Sequence, residues 1–320
     1  LKNSKKLTWV ISTGDPAGSS PELIEPLVGE RRASERVVFV GPEAERQKVV
    51  PEIEKVNKIP DDAGAYWVEA GDIEESRVLS GEVGAESGAA AYSSLSRAVE
   101  LVEDLKASGL ITLPLVKAAV QESGQKKFTG HTEFLENYWE QKAVMTFLGD
   151  ELNVALLTRH IPLREVADKI SIQLVEEVVD KLVDFFVAYL DRPPKIALLG
   201  LNPHAGEEGL IGAGEKNILQ PAVEKLVEAG VDIEGPFPAD SYFPVHSNRH
   251  DLVLSPYHDQ GLLPFKQRYF FTGIQASVGL PYPRVSPDHG AAAEIAGKGQ
   301  IDPRSAINCM KQLRRRAEEE

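Results

Sequence analysis

Seven histidines occur in the chain, and most of them sit in short turn-forming motifs: Gly130-His131-Thr132-Glu133-Phe134, Arg159-His160-Ile161-Pro162, Asn202-Pro203-His204-Ala205-Gly206 and Tyr257-His258-Asp259-Gln260-Gly261. His160, His204 and His258 each follow an expected strand within about two to four residues, where open α/β sheets place their ligand sites. Three neutral imidazoles converging there would make an open site for a borderline divalent ion. Zinc is the first choice and magnesium or cobalt the alternatives, with positions left for a substrate hydroxyl and its neighbour. Spacing alone does not select this reading. The three are far apart in sequence and form no local signature such as HExxH, and ordinary hydrogen-bonded histidines at element ends fit the pattern at least as well.

Gly14-Asp15-Pro16-Ala17-Gly18 follows an apolar run and precedes Pro21-Glu22-Leu23, which reads as a tight strand-to-helix turn with proline near the helix start. Such a turn either presents backbone amides to an anion or serves as plain punctuation. No GxGxxG follows an expected strand, and neither a Walker phosphate loop nor a GxSxG elbow is present.

The elements that must position these residues alternate. Short apolar or β-branched runs fall at Leu7 to Ser12, Arg36 to Val40, Leu110 to Leu115, Leu152 to Thr158, Ile196 to Leu201 and Leu252 to Ser255, separated by amphipathic stretches. That rhythm predicts an α/β fold. Helices are expected over Gly88 to Leu105, with Leu95, Val99, Val102 and Leu105 on one stripe, and over Ile172 to Leu190, with Leu174, Val178, Leu182 and Phe185. Pro51 to Gly71 reads as an irregular surface region, and the terminal KQLRRRAEEE as the solvated face of a last helix.

At 320 residues and 42% hydrophobic content, the chain is long enough for two domains. A net charge of −14 disfavours nucleic acid and anionic membrane as partners, so a small anionic substrate would need a local basic pocket. The one cysteine, Cys309, rules out an intrachain disulfide and reads as packing. The start, LKNSKKLTWVIST, runs into GDPAG instead of an apolar leader segment, and no stretch approaches the roughly 18 apolar residues of a membrane span. A soluble cytoplasmic protein is expected.

GDPAG, KKFTGHTEFL, LLTRHIPLREVADKI, GLNPHAGEEG, GPFPAD, YHDQGLLPFK and GLPYPRVSPDHGAAAEIAGKG occur in this order across nearly the whole chain. Together they resemble the 4-hydroxythreonine-4-phosphate dehydrogenase family of vitamin B6 biosynthesis. The resemblance implies two α/β/α domains with a central cleft, like isocitrate and isopropylmalate dehydrogenases. Residues 1–130 plus 285–320 would form the first, and 131–284 the second, carrying the metal ligands and the dimer interface. It also implies a homodimer with active sites at the subunit interface, NAD or NADP as hydride acceptor, and a small phosphorylated hydroxy acid as substrate.

By the same resemblance His160, His204 and His258 match the metal ligands, and His131 and Thr132 a substrate-binding pair. Lys266 and Arg284 match cationic substrate contacts, with Lys266 also able to take a proton. Asp240 and Asp259 are candidate proton-handling or histidine-orienting carboxylates, although aspartate is equally favoured in turns and caps. Asp288, His289, Gly290 and Glu294 fall in the segment similar to the nicotinamide-binding one.

Two departures stand in functional motifs. Ser19-Ser20 replaces the family's Ile-Gly, and Gln275 replaces a substrate-contacting asparagine; Leu113 to Val116 is also less polar than usual before Lys117. They keep two alternatives open: a sister dehydrogenase for another phosphorylated acid or a dihydrodiol carboxylate, and a non-catalytic binding homologue.

Overall fold

The computed structural model describes residues 6–246 and 249–319; the first residues of the basic start and the final Glu320 lie outside them. Two compact units divide the chain, one built from residues up to Gln141 together with Leu280–Ala317, the other from Lys142–Gly279.

The first unit opens with β1 (Thr8–Ser12), α1 (Ile24–Glu30), β2 (Arg36–Gly41), α2 (Glu43–Val49), β3 (Glu54–Lys55), β4 (Gly64–Glu69), α3 (Ala85–Asp104), β5 (Gly109–Thr112), α4 (Lys117–Glu122) and α5 (His131–Trp139). The second unit holds β6 (Val144–Leu148), β7 (Asn153–Leu156), α6 (Leu163–Lys169), α7 (Ile172–Leu190), β8 (Ile196–Leu199) and α8 (Gln220–Glu228). It continues with β9 (Ile233–Phe237), α9 (Ala239–His246), β10 (Leu252–Ser255), α10 (His258–Tyr269) and β11 (Ile274–Val278). The chain re-enters the first unit as β12 (Arg284–Pro287) and α11 (Arg304–Glu319).

Strands of the first unit are all parallel in the order β3-β4-β2-β1-β5-β12. Every residue of β1, β2 and β5 is buried, which is why their sequences run apolar instead of alternating. On this sheet α3 packs Leu95, Val99 and Val102 among Val10, Val38 and Leu110, and the small Ala98 in the same cluster lets the helix lie close. In the second unit the order is β11-β6-β7-β10-β8-β9, antiparallel through β7 and parallel from β7 onward. Helix α7 starts where the Ser171 hydroxyl accepts from the Leu174 amide at 3.1 Å.

Three expectations change. Pro51 to Gly71 is not irregular throughout, since β4 lies inside it with Tyr66 and Trp67 buried against β2; four apolar residues between polar turns were too short a run to stand out. The KQLRRRAEEE helix is not wholly solvated. Arg314 is buried, its Nε donating to Glu35 Oε1 at 2.7 Å and its Nη1 to Glu30 Oε1 at 2.9 Å. The boundary expected at 130/131 falls after α5, so His131 and Thr132 belong to the first unit.

The GDPAG turn spends its amides internally. Asp15 N–H donates to Pro114 O, Gly18 N–H to Asp15 O, Ala17 N–H to Asp15 Oδ1 and Ser19 N–H to Ala291 O. Gly14 has φ +78° and lies against the Pro114 carbonyl where a Cβ would collide with it. The turn therefore joins β1, the chain leaving β5 and the segment after β12, and its structural reading replaces the anion-binding one. Beneath it, the Thr13 hydroxyl donates to the fully buried Glu45 at 2.6 Å. Burial, with the charge of Asp15 adding, pushes the Glu45 carboxyl up to about 8.

Candidate active site

Strands β7, β10 and β8 are parallel neighbours, so the loops leaving their C-terminal ends emerge at one sheet edge. His160 lies in the loop after β7, and His258 is the first residue of α10, after β10. Their rings come to 5.7 Å centroid to centroid at 47°. Around them is a 330 Å³ cavity lined by Thr158, Arg159, Tyr257 and Asp259. His258 Nδ1–H donates to Asp259 Oδ1 at 2.7 Å, which leaves Nε2 as the lone-pair donor.

His204 follows β8, but the backbone from His204 to Glu208 is left-handed throughout, and Asn202 before it is held by Glu215 at 2.6 and 2.9 Å. Among the described residues no group of three His, Cys, Asp or Glu is placed to hold a metal ion. Two of the three expected imidazoles are thus brought together and His204 is outside the pair. As a donor set, the pair fits a borderline divalent cation: two exposed or half-exposed nitrogens, one oriented by a carboxylate.

Asp240, exposed in the first turn of α9, lines a second cavity of 600 Å³ together with Asp259, Phe243, Tyr257 and Gln260. Lys266 lies further along α10, its Nζ 5.8 Å from the Phe270 ring centre. Gln275 is buried on β11, and its Nε2 donates to Ala276 O at 2.8 Å and Ser277 Oγ at 3.3 Å. Sequence reasoning missed Gln260. Its amide takes a hydrogen bond from Ser255 Oγ at 2.8 Å and gives one to Gly200 O at 2.7 Å, tying the ends of β10 and β8; its place in YHDQG was the available signal.

The first unit carries a second group. His131 begins α5, and its Nε2 is buried without a hydrogen-bond partner. Burial, then the charges of Arg284 and Lys117, hold its pKa well below the ordinary value, so the ring is neutral. Arg284 is buried with its Nε donating to Thr112 Oγ1 at 3.1 Å; burial lowers it to about 10, which still leaves it charged near neutrality. Thr132 is buried beside His131. Lys117 was not among the expected site residues, although the run before it drew notice for its lost polarity.

Asp288, His289, Gly290 and Glu294 follow β12. The Asp288 amide donates to Ser305 Oγ at 3.2 Å, His289 Nδ1 donates to Gly290 O at 2.9 Å, and Glu294 is exposed. Ser19 Oγ donates to Ala291 O at 2.9 Å, and the Glu22 carboxylate accepts from the Gly297 and Gly299 amides at 3.1 and 2.6 Å. The other serine of that departure is likewise satisfied, Ser20 Oγ donating to Pro114 O at 2.8 Å. A buried, partnerless His289 Nε2 and an open face at Gly290 suit a loop that accepts a polar ligand such as a nicotinamide nucleotide.

Residues 28–313 match the family described as pyridoxal phosphate biosynthetic protein PdxA. The chain belongs to this family. A Xanthobacter autotrophicus protein named 4-hydroxythreonine-4-phosphate dehydrogenase is 35% identical over 336 residues, covering 97% of this chain and 94% of its own. The crystal structure of a Klebsiella pneumoniae 4-hydroxythreonine-4-phosphate dehydrogenase superposes with a TM-score of 0.81 at 30% identity, covering 99% of this chain and 100% of that one. Isocitrate dehydrogenase of Methylococcus capsulatus shares the fold alone, at 12% identity and a TM-score of 0.51 over 96% of this chain and 84% of its own. The expected dehydrogenase family and its isocitrate dehydrogenase-like α/β fold are both borne out. Among the described residues no helix is long and apolar enough to cross a membrane.

Proposed function

We propose that this chain is a metal-dependent, NAD- or NADP-linked dehydrogenase that oxidises 4-phosphooxy-L-threonine to 2-amino-3-oxo-4-phosphooxybutyrate, which loses carbon dioxide to give 3-amino-2-oxopropyl phosphate. The observation that carries it is the 35% identity over 97% of the chain to a protein of that name, and the His160–His258 pair supports it independently. The hydroxyl proton goes to a base and the hydride of the same carbon to the acceptor. When bound, the nicotinamide supplies that acceptor, and a divalent ion supplies Lewis acidity at the substrate oxygen.

His160, His204 and His258 are the proposed metal donors, zinc first and magnesium or cobalt as alternatives. Arg284, with His131 and Thr132, takes the substrate's anionic end, where the neutral imidazole adds a hydrogen-bonding nitrogen without a further charge. Lys266 contacts substrate and removes the hydroxyl proton, Asp259 orients His258, and Asp240 serves proton handling. Gln275 is a substrate contact; Asp288, His289, Gly290 and Glu294 take the nicotinamide nucleotide. A cytoplasmic homodimer with active sites at the subunit interface, having neither nucleic acid nor membrane as partner, is the working assembly in this reading.

One observation favours a second reading. The Gln275 amide nitrogen is turned to its own strand, which suits a sister substrate such as another phosphorylated hydroxy acid or a dihydrodiol carboxylate. Incubation of 4-phosphooxy-L-threonine or of these alternatives with NAD or NADP and a divalent metal ion, followed by detection of the reduced cofactor and, from the phosphothreonine, of carbon dioxide and 3-amino-2-oxopropyl phosphate, separates the two. Product from an alternative only would overturn the first reading.

A further inference from the structure

The positive charges of the first unit are not spread evenly over the acidic chain. Arg284 is buried where β12 begins, and Lys117 is the first residue of α4, after β5. Both bear electrostatically on His131 at the start of α5. Lys117 reaches Gly130 so closely that a Cβ built there would lie 3.1 Å from its Cε and 3.2 Å from its Nζ. Gly130 has φ +149°, so glycine serves both the backbone and the approach of the ammonium.

Lys117, a buried imidazole nitrogen with no partner and the positive end of a nine-residue helix therefore meet at a short arc of backbone, and the charge of Arg284 acts on the same imidazole. Against them stands Glu133, whose carboxylate lies near the same glycine and acts favourably on Arg284. Lys117 is exposed, and among the described residues it has neither an ion pair nor a hydrogen bond. A chain with 49 acidic and 35 basic side chains had many ways to neutralise this lysine. Two positive charges, of which Glu133 already offsets part, match a phosphate monoester, which carries about −1.5 to −2 at neutral pH, better than they match a single carboxylate.

We infer that Lys117 is a phosphate-binding residue of the substrate site, gripping with Arg284 and the His131 nitrogen the phosphate of a phosphorylated substrate. Identifying that ligand as substrate rests on the proposed reaction, whereas the phosphate contact itself does not. The arginine fork fixes the orientation of the phosphate oxygens, and the lysine adds a mobile point charge. Exposure of Lys117 is then a functional property, since the ammonium can meet an incoming anion in solvent and follow it to the buried guanidinium.

The test compares the full chain with Lys117→Gln and Lys117→Arg, each checked for an unchanged melting temperature without ligand. Inorganic phosphate is titrated into all three by calorimetry, and the KM for 4-phosphooxy-L-threonine is measured beside kcat. Loss of one charge-assisted contact predicts phosphate affinity lower by about tenfold or more in Lys117→Gln. Its KM should rise similarly with kcat changed far less, and Lys117→Arg should recover most of the affinity. Equal phosphate affinity in wild type and Lys117→Gln, or no phosphate binding by wild type, overturns the inference. If wild type binds phosphate through Lys117 but oxidises no phosphothreonine, the reaction is refuted and the anion site stands.

Discussion

His160 and His258 face each other at 5.7 Å between ring centres, although one follows β7 and the other opens α10. Parallel pairing of β7 with β10 is what turns two distant sequence motifs into one donor pair, and Asp259 fixes the tautomer of one member. His160→Ala and His258→Ala should each abolish tight zinc binding in equilibrium dialysis, and Asp259→Asn should weaken it by about 10- to 100-fold, as loss of an orienting partner does. Unchanged zinc affinity in Asp259→Asn would remove the orienting role.

The buried acid beneath the GDPAG turn sets a pH dependence of stability. Glu45 titrates near 8 when folded because burial, and secondarily Asp15, disfavour its charge, whereas an unfolded glutamate titrates near the ordinary value of about 4.3. Its proton is held more tightly in the folded state, so its stabilising contribution is complete below about pH 4.3 and is lost progressively as pH rises through about 8. Glu45→Gln can still accept from Thr13 and has no proton to lose. Its melting temperature should exceed that of wild type by several degrees at about pH 8 and converge with it only near about pH 4. A constant difference between the two across that range would contradict the assignment.

At the other edge of the first unit, Arg314 is buried with Glu35 and Glu30. Burial opposes the charge of Glu35, but hydrogen bonds from Arg314 and the Arg32 amide outweigh it and hold its pKa below the ordinary value. Arg314→Ala leaves a carboxylate buried without its partner and should cost about 3–5 kcal/mol, measured by denaturant unfolding. The smaller loss typical of a surface pair, at most about 1 kcal/mol, would mean that Glu35 finds water instead.

Ser19 links the opening turn to the segment proposed to take the nicotinamide nucleotide, through its hydroxyl and its amide on Ala291 O. Ser19→Ala removes only the hydroxyl contact and should raise the KM for NAD or NADP about two- to tenfold, in line with one lost neutral hydrogen bond, with the KM for the hydroxy acid unchanged. An equal rise in both constants would point to a general disturbance of the turn.

Much of this was legible in the sequence for identifiable reasons. Strands β1, β2, β5, β8 and β10 are buried on both sides and announce themselves as apolar runs, and α7 carries its own cap and stripe. Strand β4 hid between polar turns, while β9 and β12 contain Pro236 and Pro287, residues that argue against strand in any local reading. For the site, histidines after strands were visible, but which of them meet depends on strand order. The left-handed path after Asn202 has no signature in Pro203-His204-Ala205. Lys117 was hidden for a different reason, because its significance comes from Gly130 and Arg284, which only the fold brings near it.

Metal-dependent oxidation is the central claim, and its most direct test is a spectrophotometric zinc titration of chelator-stripped protein with 4-phosphooxy-L-threonine and NAD or NADP, run in parallel on His258→Ala. The account predicts that reduced cofactor appears only as zinc, or magnesium or cobalt in its place, is restored to the wild type, and that the folded variant stays inactive at every concentration. Full activity in the stripped wild type, or equal activity in His258→Ala, would contradict it.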